Sequence, residues 1–150
     1  MMMGQPCATD IVAAVRACVG TRFRSQGRTP RLGLDCVGVA LVAARAAGMP
    51  LPVLPVYQLG GDNEAAFDGF PALAGLVAIG EAEVRDDAVP GDVWLFAPAP
   101  GQRHLAVQVT EGSADKTERR RFVHAHAGVG RVVESPADPA WVVVGKFRFP

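Results

Sequence analysis

Gly20–Val39 reads GTRFRSQGRTPRLGLDCVGV, and the fold turns on its last five residues. Asp35 stands immediately before an Ala- and Val-rich run that begins at Cys36 and ends at Gly48, with Pro50 just beyond. An aspartate ahead of an apolar run is an N-cap signal, and a glycine followed by a proline is a stop signal. The run is apolar on nearly every face, so the predicted helix is a buried one. Cys36 falls in its first turn, where free N–H groups and the helix dipole gather partial positive charge. Both favour a thiolate, which is the nucleophilic form, and the same N–H groups suit an oxyanion. Cys36 is therefore expected to alkylate faster than Cys7 or Cys18. A buried, inert cysteine is the competing use of such a position, and position alone leaves the two open.

Upstream, Thr9 and Asp10 can cap a helix running to about Arg16–Val19, with Ile11, Val12, Val15, Cys18 and Val19 at helical spacing toward the core and Gly20 at its end. Cys18 reads as a small buried apolar group. Cys7 lies in a start, residues 1–8, that is expected to be flexible, and it is given no role. Thr21–Leu34, rich in Arg, Gly and Pro, reads as an ordered loop. Downstream, Met49–Glu64 reads as an extended surface connection, and Asn63–Phe70 and Ala72–Ile79 as short helices. From Pro90 the texture changes to strands: Asp92–Phe96 after the Pro90-Gly91 turn, then His104–Val109, Arg121–Ala125, Arg131–Glu134 and Trp141–Phe149. Helices first and strands second is the α+β pattern, here N-terminal helices on an antiparallel sheet of about five to six strands. The 150 residues, 49% of them hydrophobic, suit one domain with one core.

Lys plus Arg is 15 and Asp plus Glu is 15, a balance that argues against nucleic acid as a partner. Two local basic clusters remain, Arg22, Arg24, Arg28 and Arg31, and Arg119, Arg120 and Arg121. No apolar run approaches the roughly 20 residues that span a bilayer. The start carries Asp10 and lacks a basic n-region, which predicts synthesis in the cytoplasm without a signal peptide. Three cysteines with no pair at metal-site spacing indicate neither a disulfide framework nor a zinc site, and no cofactor is implied. Three histidines complete the chemistry-bearing set. His104 opens a strand after a Pro/Gly loop, and His124 and His126 share one face of the next strand. A strand neighbour can orient a catalytic base, although any one histidine is more often structural.

The ordered set DCVG at Asp35–Gly38, PGD at Pro90–Asp92, HLAV at His104–Val107 and FVHA at Phe122–Ala125 resembles the NlpC/P60 cysteine peptidases. GTRFRSQGRTPRLGLDCVGV, RFVHAHAGVGRVVES and the closing KFRFP resemble most the branch found beside phage and gene transfer agent tail genes. The resemblance runs from about Ile11 to Pro150 and is weakest over residues 50–85. It implies a papain-like fold with Cys36 as nucleophile, His104 as general base and His124 as the residue that orients it, leaving His126 outside the triad. It implies hydrolysis of peptidoglycan stem peptides, often at the bond between D-glutamate and a diamino acid. Asp35 then matches a position near the substrate amine. Phe23 stands where the family usually has a tyrosine whose hydroxyl assists at the oxyanion, and Val37 where many members have serine. Expected partners are the stem peptide and phage-like tail-tip or hub proteins, in a particle assembled in the cytoplasm and acting at the cell wall. A structural tail protein that keeps the fold and little activity is the alternative that Phe23 supports.

Overall fold

The computed structural model describes residues 8–58, 62–80, 88–112 and 120–150. Cys7, the rest of residues 1–7 and Arg119 lie outside them. The first helix, α1, is Ala8–Arg16, with Ile11 and Val15 buried. It is shorter than the sequence pattern suggests. The chain leaves it through a turn that buries Cys18 but leaves Val19 45% exposed. Gly20, at φ 92°, then starts a bonded crossing to the far end of the chain, its N–H donating to Val132 O while Val132 N–H donates to Thr21 O. Thr9 and Asp10 sit within the first turn of α1, where the carboxylate of Asp10 complements the dipole.

The Arg/Gly/Pro-rich loop contains a small antiparallel hairpin, β1 (Arg28–Thr29) and β2 (Gly33–Leu34). It leads into α2, Cys36–Ala46, whose N-cap is Asp35 and whose chain reversal follows at Gly48, φ 77°. Eight of its eleven residues are buried, which is why its pattern is apolar on nearly every face. Residues 49–58 run on without helix or strand. Two short helices follow, α3 (Glu64–Asp68) and α4 (Phe70–Leu73). The helix expected over Ala72–Ile79 is not formed. Gly75 turns the chain at φ 77°, and Val77–Ala78 becomes β3, an edge strand defined by its pairing with a strand seventy residues on.

The remaining strands are β4 (Val93–Ala97), β5 (His104–Gln108), β6 (Arg121–His126), β7 (Arg131–Pro136) and β8 (Val142–Arg148). Among the described residues they form with β3 one six-stranded antiparallel sheet in the order β3-β8-β4-β5-β6-β7. Alternation along each strand sends Val93, Leu95, Leu105, Val107, Val123 and Ala125 toward α1 and α2. The opposite parity sends Trp94, Phe96, Ala106 and Phe122 into a second, aromatic cluster closed by Trp141 and Val143. Both faces are covered, so the central strands read as continuous apolar runs instead of alternating ones.

Two glycines set how closely the loop approaches α2. A Cβ on Gly38 would lie 2.2 Å from Gly27 O, and a Cβ on Gly27 would lie 2.3 Å from Gly33 O. These are backbone atoms that cannot swing aside, so the glycine of DCVG is a packing requirement of the first helical turn. Gly38→Ala is expected to lower stability by about 2–3 kcal/mol in chemical denaturation, the upper range for overpacking. Gly69→Ala, whose added Cβ meets nothing nearer than 3.5 Å, is the control and is expected to stay within about 1 kcal/mol.

Candidate active site

The site is built from Asp35 outward. Its carboxylate is fully buried and accepts from Gly38 N–H at 2.8 Å, Gln26 N–H at 2.8 Å, Arg28 Nη1 at 3.1 Å and the Tyr57 hydroxyl. Gln26 holds a left-handed backbone, φ 61°, which presents its N–H to the carboxylate, while its side-chain amide donates to Tyr57 O at 2.6 Å. Burial, then the bond to Asp35, pushes the Tyr57 hydroxyl far up, so it stays a donor. Asp35 thus locks the start of α2 to the hairpin loop and to the extended segment. It is not among the residues lining the cleft.

The cleft, about 260 Å³, is lined by Cys36, His104, His124 and Phe23, together with His126, Trp141 and a wall from Asn63 and Arg103. Cys36 reaches it from the helix layer and is 4% exposed. Burial, followed by the neighbouring Asp35 charge, pushes its thiol up to about 12, against the opposing pull of backbone hydrogen bonds with Leu105, Val37 and Cys36 itself. Both effects favour the thiol form of Cys36 over the thiolate. Burial thus opposes the thiolate expected from the first-turn N–H groups. Cys18 is likewise buried and raised. The β5–β6 ladder is confined to Val107↔Val123 and Gln108↔Phe122, so the two strands are unpaired toward His104.

His104 and His124 meet across the unladdered end of those strands, His104 Nε2 and His124 Nδ1 lying 2.8 Å apart. His124 Nε2 lies 2.8 Å from Ser135 Oγ. The bond to His124 occupies Nε2 of His104, so Nδ1 is the ring nitrogen left for the thiol. Trp141 packs edge-on against both rings, at 5.0 and 6.0 Å between centroids. Burial, with added repulsion from His124 and His126, lowers His104 to about 3, and burial with repulsion from His126 lowers His124 to about 4. Both rings are neutral at physiological pH. His126 lies 6.0 Å from His124 and accepts from Val129 N–H, closing the β6–β7 turn. The backbone of Phe23 is pinned between Leu34 and Gly130, which holds its side chain at the cleft.

Four residues of this neighbourhood were not singled out in the sequence: Asn63, Arg103, Ser135 and Tyr57. Arg103 is fixed by Asp68 at 2.8 Å and Glu64 at 3.0 Å, and its N–H by Asn63 Oδ1 at 2.7 Å. Ser135 carried a readable signal, because the hairpin register that pairs His124 with Val133 puts it two residues along on the same face. Among the described residues no group of three or more His, Cys, Asp or Glu is arranged to hold a metal ion.

The neutral histidines make stability acid-sensitive. In the unfolded chain both rings take up protons below about pH 6.5, whereas the folded protein holds them neutral down to about 4 and 3. The unfolded state therefore binds more protons in that window, and stability present above pH 6.5 is lost as pH falls through it. The expected slope is of the order of 1 kcal/mol per pH unit for each ring, measured by denaturant unfolding at pH 7 and pH 5. His104→Gln is expected to halve it; an unchanged slope in that folded variant would rule out a depressed His104.

No protein-family model and no curated protein sequence matches the chain. Solved structures do. An NlpC/P60 family protein from Bacillus cereus superposes at TM-score 0.63 with 18% identity, covering 98% of this chain and 41% of that one. NlpC1 from Trichomonas vaginalis superposes at TM-score 0.67 with 16% identity, covering 99% of this chain and 46% of that one. The NlpC/p60 domain of the peptidoglycan hydrolase SagA superposes at TM-score 0.60 with 18% identity, covering 95% of this chain and 99% of that domain. The chain thus spans less than half the length of the first two and nearly all of the isolated domain. At these identities the likeness speaks to architecture, and the architecture is the α+β NlpC/P60 fold.

Proposed function

We propose that the chain is a cysteine peptidase that hydrolyses an amide bond in peptidoglycan stem peptides, the D-glutamyl–diamino acid bond being the preferred target. The observation that supports this reading is the single cleft shared by Cys36, His104 and His124, with the two rings in hydrogen-bond contact. Thiol and imidazole both rest neutral, so proton transfer accompanies attack. His104 Nδ1 takes the proton as the sulfur adds to the carbonyl carbon. The imidazolium then donates through Nε2 to His124, and backbone N–H groups at the start of α2 receive the oxyanion. Collapse expels the amine, which takes the proton back from His104, and water attacking the thioester with His104 again as base releases the acid. The target bond and the setting in a phage-like or gene transfer agent tail, with tail-tip or hub partners, rest on the resemblance of the DCVG, HLAV and FVHA motifs.

Mass spectrometry of muropeptides incubated with the protein tests the activity. Wild type is expected to release amine and carboxyl fragments, and Cys36→Ala to reduce turnover by at least about 1000-fold. A folded wild type inert on every muropeptide would favour the second reading, a tail protein that keeps the fold without the chemistry. Phe23 is the observation on that side, since a phenylalanine at the cleft offers no hydroxyl. Phe23→Tyr separates them further. It is expected to keep the fold and to raise kcat by up to about 100-fold or leave it unchanged, with KM little altered, because an oxyanion donor acts in the transition state. A large loss in the folded variant would show that Phe23 does not border the oxyanion.

A further inference from the structure

We propose that Ser135 is a positioning residue that sets the tautomers of both active-site histidines, and through them makes Nδ1 of His104 the basic nitrogen. The consequence for catalysis rests on the peptidase reading; the order of the hydrogen bonds does not.

A histidine in the orienting place poses a problem that a carboxylate does not. A carboxylate can only accept from the base behind which it stands. A neutral imidazole can accept or donate at the same nitrogen, so its direction has to be fixed from outside. Ser135 supplies the direction. It lies on β7 opposite Phe122, one step along the same sheet face from His124. Its Oγ donates to Pro136 O at 3.0 Å. A hydroxyl has one hydrogen, so toward His124 it has only lone pairs to offer. With that hydrogen on Pro136 O, His124 Nε2, at 2.8 Å, carries the proton and donates.

A neutral ring has one N–H, which leaves His124 Nδ1 bare. His104 Nε2, 2.8 Å away, must then donate to it, and His104 Nδ1 is left with its lone pair. Three bonds thus run in one direction, from His104 through His124 and Ser135 to Pro136 O. Burial keeps both rings neutral, so the chain of single protons is the resting state. The other candidate for the outer place, His126, has its Nδ1 engaged by Val129 N–H. Without the hydroxyl, His124 is free to carry its proton on Nδ1. That N–H would face His104 Nε2 and drive the His104 proton onto Nδ1, where no proton could be taken from a thiol.

Long-range proton–nitrogen NMR of protein labelled with 15N-histidine reads the tautomers directly, without substrate. At pH 7 both Nε2 atoms are expected to be pyrrole-like and both Nδ1 atoms pyridine-like. Ser135→Ala is expected to mix or reverse the His124 tautomer. It should lower kcat on muropeptides by about 10- to 100-fold with KM within about 2-fold, the scale of losing an outer hydrogen-bond partner. Ser135→Thr keeps the hydroxyl and is expected to restore both the tautomers and the rate. A wild-type spectrum with His124 protonated on Nδ1, or unchanged tautomers in Ser135→Ala, would overturn the proposal. Because the spectrum needs no turnover, its failure and a failure of the peptidase reading are separate results.

Discussion

A single buried carboxylate holds the site together. A carboxylate cannot be left in an apolar interior unless it is fully paired, and Asp35 is paired by four donors from three stretches of chain. Gly38 belongs to α2, Gln26 and Arg28 to the hairpin loop, and Tyr57 to the segment that wraps past them. Each donor alone would be a local contact. Acting on one charge, they become mutually dependent, and loss of one partner of such a group typically costs about 3–5 kcal/mol. The glycine contacts act in the same direction: Gly38 lets the helix start close on the Gly27 carbonyl, and only that approach brings both N–H donors to one carboxylate. The residue next in sequence, Cys36, is positioned as a result.

The same charge has an opposing effect. Asp35 beside a buried sulfur disfavours the thiolate, and desolvation disfavours it more. The site therefore separates two tasks that the sequence pattern seems to merge. Asp35 fixes where the sulfur is, and the sheet brings the histidine pair to the same cleft. β5 and β6 part company beyond Val107, which opens room for the two rings to meet.

What was legible in the sequence follows the range of the interactions involved. The helix at Cys36–Ala46 was readable because its cap, its apolar run and its glycine stop are local, and five of the sheet strands because their runs and turn signals are local too. The β1–β2 hairpin and β3 were not, since two-residue strands have no period and exist through partners elsewhere. The helix expected over Ala72–Ile79 failed for that reason: pairing with β8 and the turn at Gly75 outweighed a propensity spread over too few residues. The convergence of Cys36, His104 and His124 on one cleft was anticipated by motif order, whereas the burial that raises the Cys36 thiol was not. A dipole can be read from position in a helix, but burial depends on everything packed around it.

A neutral resting site has a mechanistic logic of its own. A preformed thiolate–imidazolium pair would place two more charges beside Asp35 in a largely buried site, and each would carry a desolvation cost of several kcal/mol. Keeping the proton on sulfur avoids that cost until a substrate carbonyl arrives to take up the negative charge. The orienting residue then has to tolerate a transient imidazolium without itself being charged beforehand. His124 accepts the developing charge through one lone pair while remaining neutral, and its usefulness depends on that lone pair facing inward, which is a property of the hydroxyl behind it and of the β7 register that delivers it.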